Sequence, residues 1–141
     1  MKKDLTVEEV QYVAHRLAKE MLEWDEPIPA FSTRAEHKLE SCLAQPFITV
    51  GGKSAYPTMK GKAAILFYLM NKNHPFQNGN KRVAITTLLY FLSEHGKWLA
   101  IDNQELYNFA KFVAASPPQA KDGMVGIIED FISRNIVKLS I

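Results

Sequence analysis

The chain has 141 residues, 47% of them hydrophobic and 23% charged, with a formal net charge of +2. That length fits a single domain over residues 1–141 with a buried core, and the composition excludes disorder. The charge is too small and the lysines too scattered to predict direct nucleic-acid binding, and Cys42, the one cysteine, leaves no intrachain disulfide and no thiolate zinc site.

Thr6 and Glu9 form a capping-box pattern that predicts a first helix reaching about Trp24, with Val10, Val13, Ala14, Leu17 and Met21 on one face. Charge throughout the first twenty residues leaves no signal-peptide core. A loop with Pro27 and Pro29 follows, then a second helix from Ser32 or Thr33 that buries Leu39, Cys42 and Leu43 and stops before Pro46. Phe47, Ile48, Thr49 and Val50 favour extended backbone, and Gly51-Gly52 suits a tight turn, so residues 47–54, ending at Lys53 and Ser54, are predicted to form a short hairpin or flap.

From Thr58 to about Asn73 the chain is helical and apolar on almost every side, which places this helix at the centre of the fold. Its longest apolar run, Ala63 to Met70, is far short of the ~20 residues of a membrane span. No membrane association is expected, and the cytoplasm is the expected compartment. A loop, His74 to Gly79, leads into a second mostly apolar helix from Asn80 to His95, capped by Gly96. Asp102 with Glu105 opens a further helix that ends before Pro117, and a last helix carries Met124, Ile127, Ile128, Phe131 and Ile132. The expected class is all-α: about six helices and one small β-hairpin.

The chemistry is concentrated between the two central helices, in His74-Pro-Phe-Gln-Asn-Gly-Asn-Lys-Arg82. A helix N-terminus presents N–H groups and a partial positive charge to anions. Gly79 lets backbone approach a phosphate, and Asn80, Lys81 and Arg82 add amide, point-charge and forked donors. Two cations in a first turn oppose the helix dipole, a mismatch that a bound anion would resolve. At the other end of the loop His74 offers an imidazole able to act as a general base, and Phe76 is expected to plug the loop into the core. The remaining histidines, His15, His37 and His95, read as surface or satisfied core residues. Gly52-Lys53-Ser54 lacks the earlier glycine of a P-loop, since Phe47 stands there.

His74, Phe76, Gly79, Asn80 and Arg82 match the signature of the Fic/Doc family, H-x-F-x-(D/E/N)-(A/G)-N-(G/K)-R, and the resemblance extends from about Leu5 to Ile136. It implies a Fic-fold bundle in which His74 deprotonates a hydroxyl of a protein target. Gly79, Asn80 and Lys81 would hold nucleotide phosphates, and Arg82, expected at the surface end of its buried helix and so removable without loss of the fold, would neutralise the charge of transfer. Asn78 stands where many relatives carry an acidic magnesium ligand, and an amide should hold Mg2+ more weakly. AMP-transferring relatives usually have glycine before the arginine and a second arginine three residues after it. Lys81 and Ile85 occupy those places here. This resembles the death-on-curing branch and implies transfer of the gamma-phosphate of ATP or another nucleoside triphosphate to elongation factor Tu. AMP transfer is the alternative, and a catalytically inactive binding module a further one. In the family the flap holds a target segment as an added strand, here residues 47–54. Ser32 and Glu36 followed by His37 do not complete the inhibitory S/T-x-x-x-E-(G/N) pattern, so inhibition is expected from a separate antitoxin.

Overall fold

The computed structural model describes residues 5–22 and 30–139. The expected end of the first helix at Trp24 and the loop through Pro27 and Pro29 lie outside the described residues.

Six helices account for most of the described chain. The first, α1, covers residues 7–22 as Val7–Glu9, a π-helical stretch Val10–His15 and Arg16–Leu22. Its start is the expected capping box: Thr6 Oγ1 accepts from Glu9 N–H, and Glu9 reaches back to Thr6 N–H. Where the ladder changes register a backbone carbonyl needs another donor, and the buried Thr86 hydroxyl donates to Ala14 O at 2.7 Å. A bond between residues this far apart in sequence ties α1 to the central helices.

The second helix, α2, spans Glu36–Ala44, three or four residues later than the sequence suggests. Phe31–Thr33 form a single 3-10 turn instead, with the Thr33 hydroxyl donating to Ala30 O. Ala35 N–H donates to Pro75 O at 2.7 Å, so the chain turns toward the motif loop before the helix begins. Tertiary pairing here overrides the local preference of Ser and Thr for a helix start. As expected, α2 buries Leu39, Cys42 and Leu43. Burial pushes the Cys42 thiol up to about 11, which keeps it protonated and unreactive near neutral pH.

Two helices form the centre, α3 (Met59–Lys72) and α4 (Asn80–Ser93). Every residue from Gly61 to Asn71 is buried, the consequence of having no polar face. Thr58 caps α3 by accepting from Gly61 N–H. At the far end of α4, Gly96 adopts φ +72° and donates its N–H to Ser93 O. Helix α5 (Asn103–Ala115) opens on Asp102, whose carboxylate accepts from Gln104 and Glu105 N–H, and α6 is Lys121–Asn135. Helix α3 packs against α4 and α6, and α4 against α1 and α5. Phe109 of α5 stacks on Phe131 of α6 at 3.8 Å and near-parallel, with Phe67 of α3 on its other side.

Two antiparallel ribbons complete the described architecture. The hairpin β1 (Thr49–Val50) and β2 (Lys53–Ser54) pairs Val50 with Lys53 across Gly51-Gly52. Both glycines have positive φ, the requirement of a two-residue hairpin turn. Phe47 belongs to a 3-10 turn before the hairpin, and Ile48 flanks the ladder, its carbonyl accepting from Ala55 N–H. The flap of residues 47–54 is thus a paired tip on an anchoring segment. The second ribbon was not expected: β3 (Lys97–Leu99) pairs with β4 (Ile136–Lys138), Trp98 opposite Val137. Three-residue strands so far apart in sequence carry no periodicity from which pairing could be read.

Candidate functional site

Pro75 stops α3 and Gly79 starts α4, so six residues, 74–79, turn the chain between two antiparallel central helices. His74 sits just past the Asn73 C-cap with φ +50°, the left-handed position that usually ends a helix on glycine. A residue with a side chain stays there only when its surroundings hold it. Those surroundings are well tied. Phe76 N–H donates to Asn80 Oδ1 at 2.9 Å, and Asn80 Nδ2 donates back to Phe76 O at 2.8 Å. The same Nδ2 lies 3.5 Å from His74 Nδ1. Pro75 O accepts from Ala35, as above.

The Phe76 ring is buried, as expected, and its neighbours are identifiable. Its centroid is 5.5 Å from the His15 ring and 5.8 Å from Phe31, which are themselves 5.2 Å apart edge-to-face. Of the two places expected for His15, the surface or the core, it takes the core, where its ring supports Phe76. No sequence signal connects it to Phe76, because only the fold brings the end of the π-helical stretch under the loop.

The α4 N-terminus leaves N–H groups without helical acceptors. Gly79 is its N-cap, left-handed at φ 73° and ψ 16°, and no side chain caps it. The first helical bond runs from Val83 N–H to Gly79 O, so the N–H groups of residues 80–82 have no acceptor within the helix. No acidic residue lies in this turn.

Two side chains of this turn, Asn80 and Arg82, lie inside the protein. Asn80 is buried and spends its amide on Phe76, so its contribution is to shape the loop while its backbone belongs to the helix end. Arg82, expected at a surface end, is 2% exposed. Its charge is therefore held inside the protein, on the first turn of α4. Lys81 is half-buried, and His74, Gln77 and Asn78 are exposed. Asn78 offers a single neutral oxygen, and among the described residues no three His, Cys, Asp or Glu side chains gather as a cation site.

Asn80→Asp tests the clamp. A carboxylate can still accept from Phe76 N–H but would face Phe76 O with no proton to give. The variant should lose about 2 kcal/mol of stability by urea denaturation, the cost of a buried carbonyl without its donor, with only a few tenths returned by the helix dipole. Unchanged stability would mean that the two bonds do not hold the loop.

The hairpin stands apart from this loop. Phe47, at its base, packs on Phe91 at 6.3 Å, and Lys62 donates to Ser54 Oγ at 3.5 Å and to Tyr56 O. Phe91 lies eleven residues beyond Asn80 in α4, about 16 Å along the axis. Val50 at the tip is 68% exposed.

Comparison with known proteins places this loop in a family. Residues 4–92 match the Fic/DOC family, from the start of α1 through most of α4. A relative named Toxin Doc, from Mycolicibacterium smegmatis, is 41% identical over 64 residues, 45% of this chain and 49% of that protein. The chain thus spans about half the length of the curated relative it matches. No solved structure matches it. No helix among the described residues is long and apolar enough to cross a membrane. With His74 and the Gly79 helix end brought to one loop by a buried helix pair, and the match running through both helices, the chain belongs to the Fic/DOC family.

Proposed function

We propose that this protein is a Doc-like toxin of the cytoplasm that transfers the gamma-phosphate of a nucleoside triphosphate, ATP in the first instance, to a Ser or Thr hydroxyl of a protein, and that elongation factor Tu is its target. The observation that carries this reading is the convergence of the His74 imidazole and the α4 N-terminus on one loop, coupled through Asn80 at 3.5 Å from Nδ1. His74 takes the proton of the acceptor hydroxyl, and the alkoxide oxygen forms a bond to the gamma-phosphorus. The bond from that phosphorus to the bridging oxygen breaks, and the nucleoside diphosphate leaves. N–H groups of Gly79, Asn80 and Lys81 hold the phosphates, with the buried Arg82 as fixed positive charge behind them. A positive charge in low dielectric acts over a longer distance than one in water.

Asn78 alone would hold Mg2+ poorly, so a magnesium ion would take most of its ligands from phosphate and water. Lys81 and Ile85, in place of the glycine and second arginine of AMP-transferring relatives, favour phosphate over AMP. A target strand would add at the exposed edge of the hairpin, where Val50 sits. A cognate antitoxin would be the inhibiting partner.

Purified protein incubated with elongation factor Tu and ATP labelled at either the alpha or the gamma position discriminates the readings. Protein-bound label from gamma-labelled ATP alone is expected. Label from alpha-labelled ATP would establish AMP transfer instead, and no label from either would favour a binding module.

A further inference from the structure

Two clefts open along the seam between α2 and α3, and their walls share Ser41, Lys72 and Asn73. The first, about 470 Å³, has His74 at one end and His37 and Lys38 on its α2 side. The second, about 410 Å³, continues past Gln45 and Tyr68 to Pro118 and Lys121. The groove thus leads from the imidazole along α2 to the start of α6 at Lys121.

The charged side chains of its walls are all basic, although Asp122 lies near enough to Tyr68 to help burial push its phenol pKa up. Three lysines and two histidines line the two clefts and no carboxylate does. Lys72 is partly committed, since its ammonium donates to Ala114 O at 3.0 Å and to Ser116 O at the end of α5. His37 lies 3.7 Å from Glu40 on the outer face of α2. Lys38 and Lys121 are exposed, and neither has an acidic partner among the described residues. Lys121 also begins α6, where a cation opposes the helix dipole, offset only by Asp122 beside it.

We infer that this groove receives an acidic stretch of the polypeptide that carries the acceptor hydroxyl, with the hydroxyl at His74 and the carboxylates along Lys38, Lys72 and Lys121. The inference rests on the proposed function for the identity of what enters. A groove that ends at the proposed base would be filled by the residues flanking the modified one. An extended segment advances about 3.3 Å per residue, so acidic residues within a few positions of the acceptor would meet the lysines. Such complementarity sets orientation and partner choice more than raw affinity.

The test uses the full chain and two fluorescein-labelled peptides with a central threonine, one flanked by glutamates and one by glutamines. Fluorescence anisotropy should show the glutamate peptide binding with an affinity that falls as salt is raised. The doubly reversed variant Lys38→Glu/Lys121→Glu should bind it at least tenfold more weakly, with an unchanged circular dichroism spectrum because both side chains are exposed. Equal binding of the two peptides, no binding to the parent protein, or no loss on charge reversal would each overturn the proposal. So would an oligonucleotide that binds more tightly and is lost in the same variant, or a loss of ATP affinity in place of peptide affinity. If His74→Ala still transfers phosphate while charge reversal abolishes peptide binding, the catalytic reading fails and the groove stands.

Discussion

Replacing His74 by alanine should lower phosphate transfer by on the order of 10²- to 10⁴-fold, the range for loss of a positioned general base, and should relieve growth arrest on expression. The fold should tolerate the change. The side chain is exposed, and its one polar approach among the described residues is the 3.5 Å contact with Asn80, whose stronger bonds go to Phe76. Glycine makes the sharper control. At φ +50° a residue with a Cβ carries about 1–2 kcal/mol of left-handed strain, whereas glycine has none but loses about 0.5–1 kcal/mol more chain entropy on folding. His74→Gly should therefore be as stable as the parent, or stabilised by up to about 1.5 kcal/mol, and equally inactive. A more stable yet inactive glycine variant would mean that the imidazole is kept at a conformational cost for its chemistry. Retained transfer in either variant would remove His74 from the mechanism.

The loop and the residues that support it differ in how far the sequence exposes them. His74, Gly79 and the helix pair are readable because each follows from a local rule: a proline ends α3, a glycine starts α4, and an unbroken apolar surface puts both helices inside. The hairpin turn is readable for the same reason, since two adjacent glycines permit two positive φ values. What supports the loop is not local. His15 and Phe31 come to Phe76, and Ala35 to Pro75, only once α1 and α2 have docked, and the delayed start of α2 is the visible result. Asn80 shows the same limit at the scale of one side chain. An asparagine at a helix start suits both a ligand contact and a loop clamp, and only the 2.8 and 2.9 Å bonds to Phe76 reveal the second use.

Arg82 is where the sequence reading and the structure part most sharply, and the consequence is measurable. A guanidinium at a surface end could be removed with loss of transfer and no effect on the fold. At 2% exposure, among the largest fully buried side chains, it has both packing and charge to lose. Truncation to alanine removes a large volume from the first turn of a central helix and leaves the groups that faced the guanidinium unsatisfied, which costs about 3 kcal/mol or more. Arg82→Ala should accordingly lose transfer and unfold at clearly lower urea concentration. Arg82→Lys separates the two causes. It keeps the charge and much of the stem but not the planar fork, so it should recover much of the lost stability. If the guanidinium also shapes the field at the helix end, the folded lysine variant should still transfer phosphate at least tenfold more slowly than the parent, with nucleotide binding reduced far less than turnover. Full activity in Arg82→Lys would make this side chain a structural cation, and the helix N–H groups would then hold the phosphates without it.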